Sequence, residues 1–190
     1  MATAESLYTP EVFPDKDLSG QELHETAKTL AEELRVALTH NDAYVNTVRE
    51  QYKPQISIIA DPESFTLEPL NPDMSLANNF GQIVTFTHGP KQYRVMTRHM
   101  SHTTHADGHY SVDTSPSGVK WTNIEISDLS GNPEKEIRIM STPDSKASYL
   151  EGTIGVYETS ERSHKLVAWN SKDAAGQIRD VISDLSIAYL

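Results

Sequence analysis

The 190-residue chain contains no cysteine. Disulfides, thiolate-bound zinc, iron–sulfur clusters and cysteine nucleophiles are excluded together, and the composition suits a reducing compartment. Long apolar runs are missing as well. The densest, Ile56-Ser57-Ile58-Ile59-Ala60, falls far short of the roughly 20 residues that a membrane helix needs. Residues Met1–Ser6 show neither a basic nor an apolar leader region, so no signal peptide is expected. Soluble and cytoplasmic is the expected setting.

Positive charge is scarce: 16 Lys and Arg stand against 27 Asp and Glu, for a net charge of −11. An acidic chain without a basic stripe repels the nucleic-acid backbone and anionic lipid, so neither is expected as a partner. Catalytic signatures are also missing. There is no G-x-S-x-G elbow, phosphate loop or G-x-G-x-x-G turn. H-E-x-x-H is absent too, since His24-Glu25 is followed by Lys28 where a second histidine would have to stand.

What is present patterns as one α+β domain over residues 19–190, preceded by an arm at 1–18 that Pro10 and Pro14 keep from being helical. Ser19-Gly20-Gln21-Glu22 reads as a capping box. Behind it, Leu23, Ala27, Leu30, Leu34, Ala37 and Leu38 recur every three or four residues, one stripe of a helix that could also serve self-association as a homodimer. At His40-Asn41-Asp42 either Asn41 ends this helix and Asp42 caps a second, or one helix continues to Tyr52.

Beyond Pro54 the period changes to two. Strands are expected at Gln55–Ala60, Ser64–Leu70, Gln82–His88 and Lys91–Met100, then around Ile124, Ile137, Ile154 and Leu166–Trp169. His88-Gly89-Pro90-Lys91 marks a hairpin that pairs Val84 with Val95 and Phe86 with Tyr93. A last helix follows Asn170 or Ser171 and buries Ile178, Val181, Ile182 and Leu185. The expected architecture is a curved, mainly antiparallel sheet of about seven to nine strands. The N-terminal helix or helical pair and the C-terminal helix pack on one of its faces.

Two constellations carry chemistry. On the sheet face away from the helices, Arg94, Arg98 and Arg138 alternate with Met96, Met140, Trp121, Tyr149 and Tyr157. Cations interleaved with aromatic rings suit a flat anionic or aromatic ligand, or a protein partner. The second is His99, His102, His105 and His109, four imidazoles within eleven residues. A tight turn at Asp107-Gly108 would bring His102, His109 and Asp113 to one face, a set able to hold a divalent transition metal. Acid could act as a signal, because protonating all eight histidines would move the net charge towards about −3. The function expected is a non-enzymatic binding module that needs no cofactor. A metal-dependent enzyme built on the His99–His109 hairpin is the alternative.

Overall fold

A computed structural model describes residues 16–51, 83–104, 110–113, 119–141 and 152–186. Helix α1 (Gly20–Thr39) buries the whole stripe from Leu23 to Leu38, while Glu22, Glu25, Glu32 and Glu33 face water. Its entry differs from the sequence expectation. Ser19 occupies the N-cap position in an extended conformation, but its hydroxyl makes no capping hydrogen bond. The chain enters the helix through Gly20 at φ +55°, a left-handed step that glycine takes without steric cost.

The helical pair is present rather than one long helix. Helix α2 (Asp42–Gln51) is capped one residue earlier than expected. Asn41, not Asp42, accepts the Tyr44 N–H on its side-chain Oδ1 at 2.9 Å and the Val45 N–H on its carbonyl at 2.9 Å. The closing helix α3 (Lys172–Ser186) starts from Ser171, whose Oγ accepts the Ala174 N–H at 3.1 Å. Just upstream of α1, the buried Leu18 donates its N–H to the Asn170 carbonyl at 2.9 Å. Asp17 accepts the Lys172 N–H at 2.8 Å, so both ends of the helical layer are tied together.

Strands β1 (Ile83–His88), β2 (Lys91–Thr104), β4 (Val119–Asp128), β5 (Glu134–Ser141), β6 (Thr153–Ser160) and β7 (Ser163–Trp169) follow one another in an all-antiparallel path. The short β3 (Tyr110–Asp113) joins it only by pairing with the far end of β2. Among the described residues the path holds six strands and β3 makes a seventh, at the lower end of the seven to nine expected. The strands expected at 55–60 and 64–70 lie outside the described residues.

Register explains the core. Val84, Val95, Ile126, Ile137, Val156 and Ala168 lie on one cross-sheet row, and each is buried. Phe86 opposite Tyr93 and Ile124–Ile139–Ile154 form the flanking rows. Each large side chain buried there is worth about 1.5–3 kcal/mol over exposure. Helix α2 packs on β1, α1 on β5 and β6, and α3 on β6 and β7, so the helices cover the apolar face. No helix among the described residues is long and apolar enough to cross a membrane.

Candidate functional site on the outer face of the sheet

Because side chains alternate along a strand, the residues between the core rows form a second, outward face. One row runs Arg94–Ser127–Glu136–Tyr157–Leu166, and the next Met96–Glu125–Arg138–Gly155–Trp169. A third carries Arg98, Asn123, Met140 and Thr153, and Met100 pairs with Trp121. The register therefore puts positions 94, 96, 98, 121, 138 and 157 on one face. Tyr149 lies outside the described residues.

The centre of that face is a cluster around Arg138. Its guanidinium carbon sits 4.4 Å from the centre of the Tyr157 ring. His164 stacks on the same ring, with centroids 4.7 Å apart and planes only 4° from parallel. Arg138 Nε donates to Glu136 Oε1 at 2.5 Å and lies 4.0 Å from Glu125 Oε1, which also accepts from Asn123 Nδ2 at 2.9 Å. His164 Nε2 is 3.8 Å from Glu136. Both carboxylates are only 13% exposed. Burial works against the charge on Arg138, but its hydrogen bond to Glu136 and the two neighbouring carboxylates outweigh it and push its pKa up.

Gly155 makes the ring packing fit. A Cβ there would stand 3.0 Å from Trp169 and 3.1 Å from Tyr157, so glycine lets both rings lie close over the strand without displacement. Val167 is the extra residue of a bulge on β7 opposite Val156 and Tyr157, and it brings Leu166 rather than Val167 opposite Tyr157.

Arg94 is exposed, and Met96 and Tyr157 are half-buried. Of the sequence-named residues, Arg138 and Tyr157 are brought into contact with each other. Glu125, Glu136, Gly155, His164 and Trp169 complete the cluster and escaped sequence reasoning. Their signal was the period of two, which becomes informative only once cross-strand register is known. Chemically, the arrangement is a stacking platform. Arg138 is already committed to two carboxylates, which makes it a poor clamp for a further anion.

The histidine-rich segment folds with a different register from a two-residue turn at Asp107-Gly108. Thr104 pairs with Tyr110, His102 with Val112 and Ser101 with Asp113. Asp113 is thus paired with Ser101 and not with His102. His109 lies outside the described residues. Among the described residues no three His, Asp or Glu side chains gather in a metal-holding group. Compared with known proteins, the chain matches no family model, no curated protein and no solved structure.

Proposed function

We propose that this chain is a non-enzymatic interaction module that docks a protein partner on the outer face of its sheet. The observation that carries the reading is the asymmetry of the two faces. One is filled by α1, α2 and α3, while the other presents Met96, Arg138, Tyr157, His164 and Trp169, with the arginine held between the Glu125 and Glu136 carboxylates. Met, Arg and aromatic residues are enriched at protein interfaces. A second copy of the chain and a flat small ligand are the other occupants this surface suits. The cysteine-free composition supports a cytoplasmic setting.

The test is chemical-shift mapping against a library of short peptides and aromatic small molecules. Binders are expected to move resonances of Met96, Arg138, Tyr157 and Trp169 together. Binders that move only the exposed sides of α1 and α3 would contradict the reading. So would a turnover reaction that chelation abolishes.

A further inference from the structure

The path of the sheet ends at β1 on one side and at β7 on the other, and the two ends are closed differently. At β1, helix α2 packs against the strand and Gln51 Nε2 donates to the Ile83 carbonyl at 3.1 Å. At the other end β7 pairs with β6, and among the described residues no further strand or backbone group bonds to Ser163–Ala168. The hairpin fixes which groups look outward. Its two-residue turn, Glu161-Arg162, closes on the pair Ser160–Ser163, and Lys165 follows two residues later opposite Glu158. Ser163 and Lys165 therefore exchange hydrogen bonds with β6, while His164 and Leu166 turn their N–H and C=O groups away from it. The side chains of these same two residues lie on the outer face, His164 stacked on the Tyr157 ring and Leu166 opposite Tyr157. The bulge at Val167 ends the regular ladder, so the open edge is the stretch Ser163–Leu166.

We infer that this stretch of β7 takes up an extended, acidic segment of a partner protein as an added strand. The inference rests on the reading that the outer face meets a protein, and it names the form of that partner. Lys165 decides the occupant. It is exposed, and none of the ion pairs among the described residues includes it. A second copy of the chain using both outward residues would pair each His164 with the other's Leu166. That register sets Lys165 directly opposite its own counterpart, a like-charge contact that opposes pairing. A glutamate or aspartate in the same place is favoured instead.

The chain as a whole carries −11, but charges more than about 8 Å away are largely screened at physiological salt, so the side chains along the edge decide. Between Glu161 and Asp173 the sequence holds Arg162, Lys165 and Lys172 and no acid, and all three cations are exposed. Glu158 flanks Lys165 from the β6 side. Alternation sets the rest of the pattern. Residues of the added strand opposite His164 and Leu166 lie on the outer face beside the Tyr157 ring and are apolar, and the one between them meets Lys165 and is acidic.

The probe is an acetylated, amidated heptapeptide of alternating valine and glutamate, titrated into the full chain and followed by amide NMR. In the protein alone, the His164 and Leu166 amides are expected to exchange quickly with solvent. With peptide they should shift and exchange more slowly. Affinity should fall about fivefold in Lys165→Glu and recover when lysine replaces glutamate in the peptide. A peptide with the same side chains but alternate amides N-methylated keeps its charge and loses its strand hydrogen bonds, so it is expected not to bind. Equal binding of that peptide would overturn strand addition. Shifts at Met96, Arg138 and Trp169 without the two amides would also overturn it and leave the outer-face reading standing. Shifts at the two amides alone would uphold the added strand and move the partner's site from the face to the edge. No shift at either place up to millimolar peptide would overturn the inference. So would slow exchange of both amides in the protein alone. Slow exchange at high protein concentration only would assign the edge to a second copy, and at every concentration to another part of this chain.

Discussion

Four residues decide more than their neighbours do. Asn41 caps α2, contacts His88 and reaches the Leu185 carbonyl from a buried position. Asn41→Ala is expected to cost about 1–3 kcal/mol, since it removes a cap and strands a buried polar partner. A lowered denaturant midpoint at unchanged slope would register that loss. Gly155→Ala is expected to destabilise by about 1–3 kcal/mol, because its methyl group meets two aromatic rings inside van der Waals distance. Trp169 fluorescence should shift with it. Tyr93 and Lys91 set the alkaline behaviour. Burial raises the phenol of Tyr93, partly opposed by the Lys91 ammonium, and the hydrogen bond to Asp184 raises Lys91. Both are folded-state increases, so their contribution is complete below about pH 10 and is lost as pH climbs through the folded values. Unfolding free energy measured from pH 8 to 11 should hold, then decline above about pH 10, and Tyr93→Phe should flatten part of that decline.

The helices and strands differ in how much of them could be read from the residues alone. The α1 and α3 stripes were legible because a spacing of three and four residues needs no tertiary information. The β1–β2 pairing was legible because His88-Gly89-Pro90-Lys91 fixes its turn, so Val84 meets Val95 and Phe86 meets Tyr93 as expected. The β2–β3 hairpin pairs one residue away from the register that a two-residue turn at Asp107-Gly108 sets, and local turn chemistry could not show that. The Arg138 cluster depended on three successive registers and a bulge, none of which is local. Caps show the same division. Ser19 and Ser171 look alike in sequence, yet only Ser171 accepts an amide proton. Ser171→Ala is expected to cost about 1 kcal/mol and Ser19→Ala less than about 0.5 kcal/mol by chemical denaturation. Equal costs would contradict this division between the two serines.

At the scale of the whole molecule, an acidic helical layer closes one side of an antiparallel sheet, and a ring-and-arginine cluster occupies the other. The central claim is that this second side is where the protein meets its partner. Hydroxyl-radical footprinting tests it most directly, comparing labelling of the protein in dilute buffer with labelling in concentrated extract from its own cells. Met96, Tyr157, His164 and Trp169 are expected to be protected in the extract, while the exposed Val36 on α1 labels equally in both. Unchanged labelling of the four outer-face residues, or protection centred on Val36 instead, would contradict the account.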